Sequence, residues 1–240
     1  MQPTIKLVDV HKAYKTATGE YWALRGVNLE VWRGEFIAIM GPSGSGKTTL
    51  LNMIGLLDKP TKGEVYIEGK RVSKLTELEM AQLRNRTIGF IFQQFNLINR
   101  LTVEENITLP LIPRGTPIEE RRKIAREALI KAGGSLEWLK KHPNQLSGGE
   151  QQRVAIARAL AANPKIILAD EPTGNLDTKS ARKVVETLIK LNRGEGQTII
   201  IVTHNIEVAN ATQKIYLLRD GRIIGMEKPN PEKSIIASFE

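Results

Sequence analysis

The sequence predicts an α/β protein with a mixed, mainly parallel sheet, a β-rich N-terminal part and a helical subdomain. Three observations support this prediction. Four apolar runs read as buried strands, and each ends in a polar loop, as in open parallel sheets. The first of these loops is rich in glycine and leads into a helix. A helical stretch of about 50 residues lies between strands, which indicates a small subdomain inserted into an α/β core.

The glycine-rich loop is the most informative stretch of the chain. Residues 41–48 (GPSGSGKT) fit the phosphate-binding pattern G-x-x-x-x-G-K-[ST], between a predicted strand at residues 36–40 and a predicted helix at residues 49–54. A flexible Gly/Ser linker is the alternative, but the strand and the helix on either side argue against it. Backbone N–H groups of the loop and the helix N-terminus would hold an anion. The loop therefore predicts a binding site for a nucleoside triphosphate.

Two residues of this loop have a defined chemical role in the pattern. Lys47 would reach the β- and γ-phosphates, and the Thr48 hydroxyl would bind Mg²⁺. The candidate nucleotide-binding residues of the stretch are Gly41, Ser43, Gly44, Ser45, Gly46, Lys47, Thr48 and Thr49.

Length and composition limit the class of protein. The chain has 240 residues and no cysteine, which excludes a disulfide scaffold and a structural cysteine–zinc site. No apolar run approaches the length of a membrane helix, and residues 1–4 do not begin an export signal, so we expect a soluble, cytoplasmic protein. The net charge of +9 is compatible with nucleic acid or an anionic membrane, but the basic residues are scattered. Their densest cluster, residues 121–123, reads as a solvated helix face, and we expect no nucleic acid partner.

The remaining patterns divide the chain into strands, helices and a tail. Residues 4–34 are predicted to be β structure, with Tyr14 on a polar loop within them. Capping boxes at Thr102 and Thr116 predict two helices, the second with Pro117 at its first position and an apolar stripe that begins at Ile118. Further predicted strands cover residues 64–69, 88–92, 165–171 and 198–203, predicted helices cover residues 154–162 and 178–191, and a hairpin joins residues 215–219 to residues 222–226. We expect one domain over residues 1–228, with the helical subdomain at about residues 95–160, and a tail at residues 229–240.

Two carboxylates follow one of the buried strands. Asp170 and Glu171 come directly after the apolar residues 166–169. Hydrolysis of a nucleoside triphosphate needs a group that holds the metal and a group that aligns water. We assign Asp170 to Mg²⁺ and Glu171 to polarisation of the attacking water. The alternative, that both are helix caps or surface charges, is disfavoured by their position at the end of an apolar strand.

Residues 146–151 (LSGGEQ) connect the sequence with a known family. The serine and the glutamate form a capping box, so a helix start alone could explain them, but a cap does not need Gly148 and Gly149. Together with the motifs above, the stretch resembles the signature of the nucleotide-binding subunit of ATP-binding-cassette (ABC) transporters, and the resemblance covers residues 4 to about 226. It implies an ATPase with a P-loop NTPase core, an N-terminal antiparallel β subdomain and a helical subdomain, and ATP and Mg²⁺ as its ligands.

The resemblance also implies roles for residues outside the phosphate loop. Tyr14 matches the aromatic residue that stacks on adenine. Gln93 matches the glutamine that touches Mg²⁺ and the water and that senses the membrane partner, and it is preferred to Gln94 because it directly follows the strand. Asp177 matches the acidic residue of a loop that crosses the dimer interface, and His204 matches a histidine that contacts the γ-phosphate.

The signature residues act across a dimer in this family. The resemblance implies that Ser147, Gly148 and Gly149 contact the γ-phosphate bound to an opposite subunit. Residues 174–177 (GNLD) depart from the commoner Ser-Ala-Leu-Asp, and Asn205 stands where many relatives have aspartate. Neither departure removes a group needed for hydrolysis.

The implied assembly is a head-to-tail dimer that binds two ATP molecules and sits on the inner face of the cell membrane through a permease. Residues 89–98 and 105–111 resemble the lipoprotein-release and macrolide-export group, and the apolar residues around Phe95, Leu97 and Ile98, with Asn96, are expected to form the coupling surface for a permease helix.

Alternative functions remain within and outside this family. A non-transport ABC ATPase that regulates a membrane protein, as in cell division, shares these motifs and stays open. A DNA-repair or chromosome-organising ABC ATPase would need a long coiled coil between Lys47 and Leu146, for which there is no room. A translation-associated ABC protein would carry a second cassette, and a small-molecule kinase would not explain residues 146–151.

Overall fold

A computed structural model describes residues 2–17 and 19–237 of the chain. The strands are β1 (Ile5–Thr16), β2 (Gly19–Val31), β3 (Phe36–Met40), β4 (Lys62–Ile67), β5 (Lys70–Arg71), β6 (Ile88–Phe92), β7 (Ile166–Asp170), β8 (Thr198–Thr203), β9 (Lys214–Arg219) and β10 (Arg222–Glu227). The helices are α1 (Lys47–Ile54), α2 (Glu77–Thr87), α3 (Val103–Thr108), α4 (Ile118–Lys131), α5 (Gly148–Ala161), α6 (Thr178–Glu195) and α7 (Ile206–Ala209). The strands form a six-stranded and a four-stranded sheet.

The six-stranded sheet is the centre of the fold, and its strand order is β10-β9-β3-β8-β7-β6. All neighbouring pairs are parallel except β10 with β9, whose antiparallel hairpin turns at Asp220 and Gly221, both with positive φ. The strands β3, β7 and β8 are apolar and buried because helices and the second sheet cover both faces. The carboxyl ends of β3, β6, β7 and β8 lie at one edge, as predicted. The mixed, mainly parallel sheet is confirmed.

The four-stranded sheet, ordered β2-β1-β4-β5, is antiparallel and forms the N-terminal β subdomain. Its strand β1 is longer than the sequence indicated. Tyr14 lies inside β1, opposite Tyr21 of β2, so the prediction of a loop at Tyr14 was wrong. Register shifts in the β1–β2 pairing, near Val10 and Lys12, break the apolar alternation that would have marked the strand.

The helical subdomain contains α3, α4 and α5. The capping box predicted at Thr102 is present, and its hydroxyl and Glu105 make the expected reciprocal hydrogen bonds. The second predicted box is wrong, because Pro117 is the N-cap residue in an extended conformation and no side chain caps α4. Ile118, placed on the predicted buried stripe, is 55% exposed, whereas Ala125 and Leu129 are buried. Helix α5 begins at Gly148, six residues before the predicted start at Val154.

Two helices were not predicted, α2 and the short helix α7. Helix α2 follows the N-cap residue Thr76, which forms a capping box with Glu79. Only Met80, Leu83 and Thr87 of α2 are buried, so the helix has almost no apolar periodicity to reveal it. In the described part of the chain, no helix is long and apolar enough to cross a membrane.

The hydrophobic core lies on the two faces of the six-stranded sheet. In β8, Ile199 and Ile201 point to the helices α3–α6, whereas Ile200 and Val202 point to α1 and the β subdomain. Residues after 228 also contribute to the core. Ile235 is 3% exposed, belongs to the cluster beneath the helices, and donates its backbone N–H to the Glu207 carbonyl oxygen (3.0 Å).

We expect Ile235→Ala to lower the free energy of unfolding by about 2–4 kcal/mol, because it leaves a cavity in the core. Urea denaturation monitored by circular dichroism measures the change. Ile224→Ala is the matched control, since Ile224 is exposed on β10 and its removal should change stability by less than about 0.5 kcal/mol. If Ile235→Ala changed the free energy of unfolding as little as Ile224→Ala, the C-terminal segment would not stabilise the domain.

Candidate nucleotide-binding and hydrolysis site

The phosphate loop is held against the sheet by two close backbone contacts. A Cβ on Gly41 would collide with the carbonyl oxygen of Leu218, and a Cβ on Gly46 would lie 2.5 Å from that of Ala23. Gly46 also has φ 102°, in the region that favours glycine. By contrast, a Cβ on Gly44 would meet nothing within 4 Å. The two tightly packed glycines fix the path of the loop and leave its outer side, with Ser43, exposed.

The N-terminus of α1 faces this loop. No acidic residue lies in its first turn, and the N-cap Gly46 offers no side-chain acceptor for the first helical N–H groups. Lys47 folds back so that Nζ donates to the carbonyl oxygens of Gly41 (2.7 Å) and Pro42 (2.9 Å). Unpaired N–H groups and an ammonium group in one cradle are the donors that bind phosphate. The residues present therefore fit a nucleotide phosphate.

Ser45 and Thr49 are less exposed to solvent than Ser43, Gly44 and Thr48. The Ser45 hydroxyl is buried and has no hydrogen-bond partner among the described residues, and its carbonyl oxygen accepts from the Gly221 N–H (3.0 Å). Ser45 thus joins the loop to the β9–β10 hairpin. Thr49 is half-buried in the first turn of α1, whereas Thr48 is exposed.

Thr48 and Asp170 meet at the carboxyl ends of β3 and β7. Burial, reinforced by the nearby Glu171, raises the pKa of Asp170, while Lys47 and the Thr48 hydroxyl oppose the shift. Within the described ranges, no group of three or more His, Cys, Asp or Glu side chains could hold a metal ion. A hydroxyl and one carboxylate fit Mg²⁺ that arrives with nucleotide phosphates, which complete its oxygen ligands.

Glu171 is held in a strained backbone conformation. Its φ is 45°, in the left-handed region that glutamate rarely adopts. The backbone is fixed on both sides, since the Glu171 N–H donates to the Val202 carbonyl oxygen (2.9 Å) and the Glu171 carbonyl oxygen accepts from the Gly174 N–H (3.0 Å). Strain of this kind is found at functional sites, where the surroundings maintain it.

The Glu171 carboxylate is hydrogen-bonded to the end of β8. Oε2 accepts from the Thr203 hydroxyl (3.0 Å), and Oε1 accepts from the backbone N–H of His204 (3.0 Å) and lies 2.7 Å from its Nδ1. The Glu171 side chain is 14% exposed, whereas that of His204 is 70% exposed. The arrangement fixes a carboxylate beside an imidazole that faces solvent. Thr203 was not among the predicted site residues.

Gln93 is joined to the loop that follows Glu171. Its Nε2 donates to Asn175 Oδ1 (3.2 Å), and Asn175 Nδ2 donates to the Gln93 carbonyl oxygen (3.1 Å). Gln94 is exposed, and its carbonyl oxygen accepts from the Asn96 N–H (2.5 Å). The structure thus connects Gln93, rather than Gln94, with residues 171–176, which form the hydrolysis loop. Asn175 was noted in the sequence only as a departure from a family pattern.

The signature residues and Asp177 lie side by side at the starts of α5 and α6. Ser147 and Glu150 form the predicted capping box, and Asp177 accepts from the Ser180 N–H (2.9 Å) as the N-cap of α6. A Cβ on Gly149 would lie 2.7 Å from the Ser180 hydroxyl, so the two helix starts approach closely there. Within residues 2–17 and 19–237, no hydrogen bond joins this group to the phosphate loop.

Two paired tyrosines lie on the β subdomain, and one of them reaches the phosphate loop. Tyr14 is partly exposed, with Lys12 Nζ 5.1 Å from its ring centroid and its hydroxyl 3.4 Å from Asp58 Oδ2. Tyr21, directly opposite it, places its hydroxyl 3.5 Å from the Gly44 carbonyl oxygen. An aromatic face for a nucleobase is therefore present near the loop, and Tyr21 is an addition to the predicted set.

A groove of about 1060 Å³ lies beside β6, between α2 and α5. Phe92 and Asn96 line it, and Leu97 packs into the core beneath the helices. Phe95, Leu97 and Ile98 do not line the groove, so it is offset from the predicted coupling surface. It is formed instead by residues of α2, β6, the segment after α3, and α5.

Comparison with known proteins identifies the family. The family model described as "ABC transporter" matches residues 24–174, more than half of the chain. The protein belongs to the ABC transporter family. It is an ATP-binding ATPase subunit of that family, in agreement with the motifs and the site geometry.

Several relatives match over nearly the whole chain. An ABC transporter ATP-binding protein of Thermotoga maritima is 52% identical over 95% of this chain and 97% of its own length. The ATP-binding protein LolD 1 of a lipoprotein-releasing system in Rhodopseudomonas palustris is 46% identical over 94% of this chain and all of its own length. The macrolide export ATP-binding/permease protein MacB of Chlorobium phaeobacteroides is 48% identical over 95% of this chain, which corresponds to 34% of MacB.

Solved structures show the same fold. A dimeric ABC transporter cassette of Methanocaldococcus jannaschii is 52% identical and superposes with a TM-score of 0.87 over 94% of this chain and 99% of the cassette. A second structure of that cassette is a dimeric post-hydrolysis state bound to ADP and phosphate, with 51% identity and the same TM-score and coverage. The P-loop NTPase fold predicted from the sequence is confirmed.

We expect Asp170→Asn to stabilise the nucleotide-free protein, because burial and Glu171 disfavour the charged carboxylate in the folded state. The same change should weaken Mg²⁺-dependent ATP binding by about tenfold or more, because it removes the anionic oxygen next to Thr48. Thermal unfolding at neutral pH, with and without MgATP, measures both effects. Asp9→Asn, at an exposed residue with positive φ that asparagine tolerates, should change neither. A lower melting temperature for free Asp170→Asn would contradict this assignment.

Proposed function

We propose that the chain is the nucleotide-binding subunit of a membrane transporter and hydrolyses ATP in a head-to-tail dimer of two copies. One observation carries the proposal: each copy has a complete phosphate loop and hydrolysis group, while its signature residues lie at a separate place on the subunit surface. The relative of known structure forms a dimer in the presence of ADP and phosphate. A second copy would supply Ser147, Gly148 and Gly149 to the γ-phosphate held by the first, and Asp177 would lie at the same interface.

Different residues bind the adenine, the phosphates and the metal ion of the nucleotide. The face of Tyr14 stacks on adenine, and the N–H groups of the loop with Lys47 bind the β- and γ-phosphates. Thr48 and Asp170, with Gln93, would hold Mg²⁺, which would supply positive charge to stabilise the transferred phosphoryl group. The phosphate loop, Asp170 and Gln93 follow the carboxyl ends of strands in the six-stranded sheet, where ligands bind in open α/β sheets, and Tyr14 lies on the β subdomain.

Glu171 is the residue that prepares water for attack. Oε1 contacts both the backbone N–H and Nδ1 of His204, whereas Oε2 accepts only from the Thr203 hydroxyl and keeps acceptor capacity, so Oε2 can also accept from a water molecule in line with the γ-phosphate. His204 is exposed at the same point and can donate to a γ-phosphate oxygen. Loss of the γ-phosphate removes the group shared by both subunits and allows the dimer to open.

The membrane partner fits the groove beside β6. Its floor contains β6, the strand that directly precedes Gln93, and the Gln93–Asn175 contacts connect that strand end with the hydrolysis loop. Through this partner the subunit would act on the cytoplasmic face of the membrane. The relatives in lipoprotein release and macrolide export support an exporter of lipoprotein, macrolide or peptide-like substrates, and no nucleic acid partner is expected.

We expect Glu171→Gln to lower the ATPase rate by about 100-fold or more and to trap the dimer, because ATP remains bound between the copies. Light scattering of the variant in ATP should give twice the monomer mass of 26.8 kDa, whereas the parent protein dimerises only transiently. Glu127→Gln, an exposed carboxylate on α4, is the control and should behave as the parent. A monomeric Glu171→Gln at saturating ATP would exclude the proposed dimer.

Mixing two inactive variants tests whether the site is shared between copies. Lys47→Ala disables the phosphate loop, and Gly148→Asp places a carboxylate on the signature; a Cβ at Gly148 fits, since its nearest neighbour, Leu176, is 3.5 Å away. A mixed dimer has one intact site, so an equal mixture should recover up to roughly a quarter of the parent ATPase rate, while each variant alone is inactive. The control is a mixture of Lys47→Ala with a variant that carries both substitutions, because no copy in that mixture has an intact phosphate loop. Equal inactivity of both mixtures would show that phosphate loop and signature act within one chain.

A further inference from the structure

Lys12 is a largely buried cation beside Tyr14, and neither the motifs nor the proposed mechanism uses it. Its side chain is 12% exposed, and Nζ lies over the Tyr14 ring, 5.1 Å from the centroid. An ammonium group at this distance is attracted by the π electrons of the ring face. Tyr14 therefore has a positive charge on one side of its ring.

This ammonium group is held in place by acceptors in the segment that follows α1. Nζ donates to Asp58 Oδ1 (2.6 Å) and to the Lys59 carbonyl oxygen (2.8 Å). Asp58 Oδ1 is itself fixed, because it also accepts from the Lys59 backbone N–H (2.7 Å). Lys12 has therefore already lost much of its rotamer freedom before a nucleotide binds.

The same carboxylate reaches the hydroxyl end of the tyrosine. The Tyr14 hydroxyl lies 3.4 Å from Asp58 Oδ2, so one carboxylate contacts both the hydroxyl and the ammonium group over the ring. The segment that carries Asp58 is bonded to β1, since the Thr61 hydroxyl oxygen accepts from the Ala13 N–H (2.9 Å) and the Thr61 N–H donates to the His11 carbonyl oxygen (2.8 Å). The ring is thus supported at its hydroxyl and on one face, while Tyr14 stays 37% exposed.

Helix α1 connects this support with the phosphate loop. The helix begins at Lys47 in the loop and ends at Ile54, and Asp58 follows in the turn behind it. That turn is closed by a hydrogen bond from the Leu57 N–H to the Asn52 carbonyl oxygen (3.0 Å). The group that binds phosphate and the group that supports the tyrosine are therefore carried by one short helix.

We propose that Lys12 and Asp58 are positioning residues for the nucleobase: they hold the Tyr14 ring ready for stacking, and Lys12 polarises it from the face opposite to the base. This inference rests on the proposed function, in which adenine stacks on Tyr14. The π electrons of two stacked rings repel each other, and a cation on the far face of the tyrosine reduces that repulsion. A ring that is fixed in advance also loses less freedom when the base arrives.

A purely structural role of the same ion pair makes a different prediction. If Lys12 and Asp58 only join β1 to the segment after α1, their loss changes stability and affects every ligand of the site alike. A role in positioning the base affects only ligands that carry a base. Binding of a nucleotide must therefore be compared with binding of a phosphate chain alone.

Calorimetric titration with MgADP and with magnesium pyrophosphate makes this comparison. MgADP is the nucleotide probe because it lacks the γ-phosphate and is not hydrolysed at this site. The full chain carries Lys12→Met together with Asp58→Asn, which removes the cation without leaving an unpaired carboxylate. We expect this double variant to bind MgADP about three- to tenfold more weakly and pyrophosphate as the parent does.

Three further variants sharpen the test. Lys12→Arg keeps a cation that can lie over the ring and should retain most of the MgADP affinity. Lys15→Met, at an exposed lysine of the same strand, is the matched control and should bind both ligands as the parent does. In a Tyr14→Ala background, the double substitution should have no further effect on MgADP binding, because there is no ring to position.

Four results would overturn the inference: an equal loss of affinity for both ligands, an unchanged affinity for MgADP, a loss that persists in the Tyr14→Ala background, and a Lys12→Arg variant as weak as the double variant. Both ligands are titrated on the same preparation, so a fraction of unfolded protein lowers the number of sites for both and does not imitate a selective loss.

Tyr14→Ala alone separates this inference from the proposed function. If it weakens MgADP binding and the double variant does not, the inference about Lys12 and Asp58 fails while stacking on Tyr14 stands. If Tyr14→Ala binds MgADP as the parent does, the proposed stacking fails as well.

Discussion

The parallel register of β6, β7, β8 and β3 is the constraint on which the rest of the site depends. Phe92 pairs with Asp170, Asp170 with Val202, and Met40 with Thr203, so all four strands end at one level of the sheet. This edge of the sheet therefore carries the phosphate loop, Gln93, Asp170, Glu171 and His204. A shift of one residue in any strand would also exchange its two buried faces, which the alternating contacts of β8 do not allow.

At this sheet edge, the backbone of Glu171 is strained. A glutamate in the left-handed region costs on the order of 1–3 kcal/mol, and the Val202 and Gly174 contacts hold it there. The turn points the carboxylate back toward the end of β8, where Thr203 and His204 orient it, rather than out into solvent. The core on both faces of the sheet is large enough to offset such a local cost.

The sequence revealed those parts of the fold that short-range patterns encode. The strands at residues 36–40, 88–92 and 198–203 were predicted to the residue, because apolar runs bounded by polar loops mark buried strands. Helix α2 buries few side chains and has almost no apolar periodicity, so only the capping box of Thr76 and Glu79 could have indicated it. Tyr14 was assigned to a loop because register shifts hide its strand. The Gln93–Asn175 contacts could not be predicted, since they join loops 82 residues apart whose approach only the sheet determines.

Gln152 shows how the helical subdomain is joined to the site. This fully buried residue of α5 donates from Nε2 to the carbonyl oxygens of Pro172 (2.6 Å) and Phe92 (3.4 Å), while its Oε1 is buried without a partner among the described residues. One amide thus connects the signature helix with the residue before Gln93 and with the residue after Glu171. Separating α5 from the sheet edge would expose buried carbonyl groups and cost on the order of 1–3 kcal/mol for each bond left unmade. Motion of the signature helix is therefore coupled energetically to both loops, without direct contact between the signature and the phosphate loop of the same copy.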